Sequence, residues 1–375
     1  MGSVVAEYGL MDLLSTRIDL DAIAHNTRLI KERVGNARLM AVVKADAYGH
    51  GSVEVASIMS ANGADAFGVA TLAEAVALRE SGVDKPILAW IWSPEQDVTD
   101  ALAMNIELGV PSLAHARALV EAAIPAKVCV KVETGLHRSG VDEAQWDEIF
   151  SLLRDTQHLT VTGVFSHLAC ADDPSSPVTD RQAAVFERAI ARARDLGLEV
   201  PINHLCNSPG TLTRPDLHHD QVRVGIALYG LEPVAGRTHG LQPAMTWRGK
   251  VIVVKPIEAG EGTSYGLTWN TDVPGQLAVV PCGYADGLPR SFQDHLKVGI
   301  GGKLYPQVGR VCMDQIVVWL GDNEFAVAPD DEAIIFGTGG MSATELAEAA
   351  GTINYEIVCR PTGRTTRSYE GGVEL

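Results

Sequence analysis

The sequence predicts an α/β protein, with a (β/α)8 barrel over residues 14–240 followed by a mostly β domain over 241–375. Three observations carry this. Up to Gly240, short apolar runs of strand length alternate with segments whose apolar residues recur every three to four positions. After Leu241 the runs become β-branched and are separated by Gly, Pro and Asp. The 375 residues also exceed one ordinary domain and fit two.

In order, the strand candidates are Met40–Lys44, Ala66–Ala70, Ile87–Ile91, Ile106–Val110, Lys127–Val132, Val161–Phe165, Ile202–Leu205 and Gln221–Val224. Helical spacing is found in Val53–Ala61, Ala73–Ser81, Leu113–Ala123, Glu143–Leu153 and Ala183–Leu196. A strand–helix alternation of this length fits an eight-stranded barrel. A doubly wound sheet fits it almost as well, although no G-x-G-x-x-G turn follows the first strand. Further on, Val251–Val254, Leu277–Val280, Lys297–Ile300, Ile316–Leu320 and Ala333–Phe336 read as strands. A helix over Ser342–Ala350 interrupts them, with Ser342 at its cap and Gly351 past its end.

Composition excludes several classes. The net charge of −17 comes with no basic block, so neither nucleic acid nor an anionic membrane is an expected partner. No apolar run reaches membrane-spanning length. Glu7 and Asp12 interrupt the N-terminal segment, which does not resemble a secretory signal, and Ala6 stands where myristoylation needs Ser or Thr. The six cysteines are scattered without a C-x-x-C pair, which argues against a zinc knuckle or a thioredoxin-like site and fits buried free thiols in a reducing cytoplasm.

The chemistry begins at Ala41-Val42-Val43-Lys44-Ala45-Asp46-Ala47-Tyr48-Gly49-His50-Gly51. An apolar strand ends in a lysine, and a short loop with an aromatic hydroxyl and two glycines leads into a helix. A partly desolvated lysine loses pKa and gains nucleophilicity, and its commonest use is a Schiff base with a carbonyl compound. A lysine after a strand is more often a solvated strand end, so the spacing alone does not decide.

Together the eleven residues closely resemble the lysine signature of the alanine racemases, two-domain enzymes dependent on pyridoxal 5'-phosphate (PLP), and the resemblance runs from Thr16 to Tyr369. It implies racemisation of L- and D-alanine, with D-alanine supplied to bacterial peptidoglycan by a cytoplasmic homodimer that shares its active sites. Residues 1–13 are then expected to pack with the β domain. Lys44 would hold the cofactor and serve as the base on the D-side, and Tyr265 of the partner subunit would serve the L-side. Tyr48, Ser208, Gly225, Ile226 and Tyr355 would bind the cofactor phosphate, with Asn207 beside Ser208. Arg223 would face the pyridine nitrogen, with His167 joined to it. Arginine does not give up its proton, so the ring nitrogen would stay unprotonated. Arg138 and the backbone at Met313 would hold the substrate carboxylate. Lys131, which relatives carbamylate, would support Arg138. Cys312 and Asp314 would belong to a segment contributed across the dimer interface. Tyr284 and Tyr355 would narrow the entrance, with Arg290 and Asp172 lining it.

Asp46 stands where relatives usually have Asn, Glu133 replaces the more frequent Asp, and Leu136-His137 varies the stretch before Arg138. Two rival enzymes and one non-catalytic protein share parts of this pattern. A broad-specificity amino-acid racemase would accept larger side chains. A related decarboxylase would place an acid where Arg223 stands. A non-catalytic PLP-binding barrel would need neither the β domain nor Tyr265.

Overall fold

The computed structural model describes residues 13–372. The chain divides into two compact units, Ala22–Gln242 and a second formed by the segments on either side of it.

In the first unit seven parallel strands lie side by side, in the order Leu159–Phe165, Ala126–Lys131, Glu107–Val110, Ile87–Ile91, Ala66–Thr71, Arg38–Val42 and Gln221–Val224. Residues 202–206 close this sheet into a barrel. Ile202 N donates to Thr162 O at 2.9 Å and His204 N to Val164 O at 3.1 Å, while on the other side Arg223 N donates to Cys206 O at 2.9 Å. The segment expected as the seventh strand therefore takes that place, although only the Phe165–His204 pair is a regular bridge. Side chains complete its ladder. Asn203 Oδ1 accepts from Val164 N at 3.1 Å, and Asp220 Oδ2 accepts from Asn203 N at 2.9 Å. Closure rules out the doubly wound alternative.

Met40, Ala66, Leu88, Cys129 and Phe165 pack inside the barrel with Trp90 against them. The helices fall where the spacing predicts, with Val178–Asp195 starting earlier than expected. Leu20–Val34 is a helix the apolar pattern does not announce, because its buried face includes small or polar residues, Ala22, Ala24, Asn26 and Thr27.

The second unit holds a nine-stranded sheet ordered Val253–Ile257, Gly275–Val280, Ile316–Gly321, Lys303–Val308, Lys297–Ile300, Glu332–Phe336, Met245–Lys250, Leu14–Asp19 and Thr366–Glu370. All neighbours are antiparallel except Leu14–Asp19 with Thr366–Glu370. Leu14–Asp19, which the sequence reading includes in the barrel, is thus hydrogen-bonded in this sheet. The expectation for residues 1–13 falls, Leu13 apart, outside the described residues. The apolar run Val251–Val254 spans the break between two strands, with Val251 N tied to Asp331 O and Ile252 N to Val279 O. Lys303–Val308 carries Pro306, a residue that argues against a strand when read in sequence. The helix after Ser342 forms as expected, with a reciprocal Ser342–Glu345 cap and Gly351 in the left-handed conformation.

Barrel closure needs Gly163. A Cβ there would stand 1.7 Å from Ile202 O, a backbone atom that cannot yield. Gly163→Ala is expected to cost about 3 kcal/mol, at the upper end of overpacking penalties, read as a lowered thermal midpoint in calorimetry.

Candidate active site

Lys44 follows the first barrel strand, and the backbone after it turns the wrong way for L-residues. Ala45, Asp46, Ala47 and Tyr48 have φ of 54°, 51°, 54° and 54°, one turn of left-handed helix. Each such residue costs roughly 1–2 kcal/mol, so the turn must be held from outside. Its own bonds run Ala47 N to Val43 O at 2.8 Å and Gly49 N to Ala45 O at 3.0 Å. Glu74, in the cap of the helix Leu72–Glu80, accepts from Ala45 N at 2.8 Å. Asp46 accepts from Ser52 N at 2.7 Å, an acceptor role that its carboxylate fills in place of an Asn amide. The Lys44 ammonium lies 6.0 Å from the centroid of the Tyr48 ring, which packs 4.9 Å from Tyr229. The sequence reading foresees a short loop here but not its handedness.

Two hydroxyls and a run of backbone amides meet at the end of the eighth strand. Asn207 caps the helix Ser208–Thr213, and Ser208 Oγ accepts from Gly225 N at 3.0 Å and Ala227 N at 3.5 Å. A Cβ on residue 225 would stand 2.3 Å from the Tyr48 hydroxyl, so only glycine leaves that space open. Ile226 is fully buried directly behind it. Hydroxyls and amides without a carboxylate among them suit a phosphate group.

Arg223 is buried beneath this end of the barrel, with its guanidinium 5.5 Å from the Phe165 ring. NH1 donates to His204 Nδ1 at 2.9 Å and His204 O at 2.7 Å, and NH2 donates to Leu205 O at 3.2 Å and to Ser166 O. Four of its five N–H groups are thereby held by the protein, leaving Nε–H outside this set. His204 lies at the predicted seventh strand but receives no role from sequence. Because guanidinium cannot accept, Nδ1 of His204 must carry its lone pair, and its proton sits on Nε2, 3.4 Å from Cys129 Sγ. Burial, and then Arg223, hold His204 well below the ordinary histidine range, so the ring is neutral. Burial also draws Arg223 down to about 10.

Cations crowd the same mouth. Lys131 ends the fifth strand and donates to Ser139 Oγ at 2.6 Å. Burial, then Arg138 and Arg223, pull its amine down to about 8, and Glu133 offsets only part of this. Arg138 is exposed in the loop beyond, whose bend is held by Glu133 accepting from Leu136 N at 2.8 Å. His167 follows the sixth strand. Burial first, then Arg223, Arg138, Lys131 and Lys44, keep it well below its usual range. The structure thus gathers Lys44, Tyr48, Lys131, Arg138, His167, Asn207, Ser208, Arg223, Gly225 and Ile226 at the C-terminal ends of the barrel strands, where such barrels place their chemistry.

Apart from Asp172, the remaining predicted residues belong to the second unit. Tyr265 is 70% exposed at the tip of a hairpin between Gly262–Thr263 and Trp269–Asn270. Ser264 holds that tip, donating to Arg310 O at 2.6 Å and lying 3.3 Å from Cys312 Sγ. Met313 and Tyr284 are exposed on adjoining turns, linked by Tyr284 N to Cys312 O at 3.1 Å and Ala285 N to Met313 O at 3.0 Å. Asp314 pairs with Arg364 at 2.7 Å. Tyr355 lies half-buried in the short helix Asn354–Val358. Asp172 and Arg290 are exposed, one in each unit.

Among the described residues no cluster of His, Cys, Asp and Glu could hold a metal ion, and no helix is long and apolar enough to cross a membrane. Comparison with known proteins agrees along nearly the whole length. The family model "Alanine racemase, N-terminal domain" matches residues 18–233, and "Alanine racemase, C-terminal domain" matches 244–369. The chain is 66% identical over 364 residues to the alanine racemase of Corynebacterium efficiens, covering 96% of this chain and 99% of that one. It is similar to the crystal structure of alanine racemase from Corynebacterium glutamicum, with a TM-score of 0.89, 56% identity, and coverage of 96% of this chain and 100% of that one. The enzyme from D-cycloserine-producing Streptomyces lavendulae gives a TM-score of 0.92 at 39% identity, covering 97% and 98%. With both halves matched and solved relatives superposing over nearly all of it, the chain belongs to the alanine racemase family.

Proposed function

We propose that this protein interconverts L- and D-alanine with PLP, as a homodimer in which each site combines one subunit's barrel with the other's Tyr265. The observation that carries it is the convergence on one barrel mouth of a lysine on a strained turn, a two-hydroxyl cradle open only because residue 225 is glycine, and a buried arginine with one N–H to spare. Lys44 would hold the cofactor's aldehyde carbon. Tyr48, Ser208, Tyr355 and the backbone of Gly225 and Ile226 would hold its phosphate, with Asn207 fixing Ser208. Arg223 would face the ring nitrogen, beside a neutral His167. Bound there, PLP supplies the conjugation that makes the Cα proton of an amino acid acidic.

Racemisation needs a proton taken from one face of Cα and another delivered to the opposite face. Lys44 Nζ serves the D-side and the phenol of Tyr265 the L-side. The exposure of Tyr265 at a hairpin tip supports donation to a second subunit. Arg138 and the backbone at Met313 bind the substrate carboxylate, and a guanidinium fork suits that planar group. Lys131, with its amine depressed beside Arg138, supports the reading that it takes up carbon dioxide as a carbamate, turning a third cation into an anion for Arg138. Cys312 and Asp314 brace the Met313 segment, and Tyr284 narrows the entrance. The biological role is D-alanine supply for peptidoglycan, in the cytoplasm.

Racemase assays test this directly. Lys44→Ala and Tyr265→Phe should each lose about 10²–10⁴-fold in kcat, the usual worth of a positioned acid or base. Mixing the two inactive variants should restore part of the activity, since some mixed dimers carry one intact site. A wild type that binds PLP yet racemises no amino acid would instead favour the non-catalytic barrel, and turnover of bulky amino acids as fast as alanine would favour the broad-specificity racemase.

Cofactor binding gives a second check. Gly225→Ala should weaken PLP binding to the apoprotein at least about tenfold, since the methyl displaces the Tyr48 hydroxyl; unchanged affinity in fluorescence titration would remove the cradle from the phosphate. For Lys131, carbon dioxide depletion should lower activity, and at a fixed concentration of dissolved carbon dioxide activity should return faster well above about pH 8 than well below, because only the neutral amine reacts.

A further inference from the structure

We propose that Arg364 is a positioning residue for the substrate carboxylate, acting through Asp314 and the turn at Asp286 on the backbone of Met313. The proposal rests on the reading of Met313 as a carboxylate-binding segment.

Three stretches of the β-rich unit meet at this guanidinium. Asp286 is fully buried, and Arg364 holds both of its oxygens, Nε to Oδ1 and NH2 to Oδ2, each at 2.8 Å. Asp286 Oδ2 also accepts from Gly283 N at 3.0 Å, and Asp286 O accepts from Thr362 N at 3.0 Å. This fixes the Gly283–Gly287 turn against the chain that carries Arg364. The remaining arm, NH1, reaches Asp314 Oδ1 at 2.7 Å. One side chain therefore joins the turn bearing Tyr284 to the segment bearing Met313.

The two segments fit too closely to shift independently. A Cβ on Gly283 would stand 2.3 Å from Met313 O. Tyr284 N and Ala285 N donate to Cys312 O and Met313 O. These bonds orient the peptide planes at Met313, and a backbone N–H binds an anion only when its plane faces it. Arg364 is suited to the task because a planar fork fixes direction as well as distance, which a lysine cannot do. The Asp286 arm anchors it on a buried group, and the half-exposed Asp314 arm transmits the orientation.

Steady-state kinetics of the PLP-loaded protein with alanine separate this role from a purely structural one. Arg364→Met is expected to raise KM about tenfold, the worth of a lost charge-assisted contact, while kcat changes less, the signature of lost ground-state binding. Arg364→Lys should recover part of the loss. Asp314→Asn leaves the buried pair intact, so it should raise KM without lowering the thermal midpoint. The double variant Arg364→Met/Asp314→Asn should be no worse than Arg364→Met alone, because both act along one line. Amide exchange at Tyr284 and Ala285 should quicken in Asp314→Asn. An active wild type whose Asp314→Asn variant keeps both KM and exchange unchanged overturns the proposal alone, as does additive loss in the double variant. A wild type that racemises no amino acid overturns the functional reading and the proposal with it.

Discussion

The hydrogen bonds of residues 202–206 to the strands on both sides close the barrel, and the candidate site depends on that closure. The segment is short and irregular, and its ladder is completed by the side chains of Asn203 and Asp220. Without it, His167 after the sixth strand and Arg223 in the eighth would stand at opposite edges of an open sheet. With it, the carbonyls of Ser166, His204 and Leu205 become the acceptors that hold Arg223. Closure thus builds the arginine's socket from the same backbone that completes the fold.

A buried arginine imposes a direction on everything around it. It can only donate, so His204 must present a lone pair on Nδ1 and carry its proton toward Cys129. Burial first, and then repulsion among the cations of the mouth, depress Lys131 and His167 along with it. A pocket with this excess of positive charge favours ligands carrying phosphate and carboxylate, and both are on the proposed list. Burial, helped by the same crowding, keeps His167 neutral.

Strain and support balance at the first strand. Four consecutive left-handed residues after Lys44 persist because Glu74 accepts the Ala45 amide, and Asp46, within the turn, ties it to the next helix by accepting from Ser52 N. Asp46, a departure from the usual Asn, works here because the position needs only an acceptor. A comparable division operates in the β-rich unit, where the buried Asp286–Arg364 pair supplies rigidity and the exposed turns carry the side chains proposed for the site.

Much of this was legible in the sequence, because strands and helices declare themselves through period and composition within a few residues. The strand runs of the barrel lie close to where the apolar pattern puts them, and Ser342 and Gly351 bound their helix as short-range capping requires. The lysine after the first strand was legible for the same reason, as a break in an apolar run. Only the tertiary structure decided the rest. The left-handed turn depends on Glu74, 29 residues from Ala45. His204 gains its role from Arg223, 19 residues away, and Asp286 meets Arg364 across 78. Leu14–Asp19 joins its sheet through Thr366–Glu370 at the far end of the chain. Such pairings leave no periodic trace, because each is a single contact made after the elements have packed.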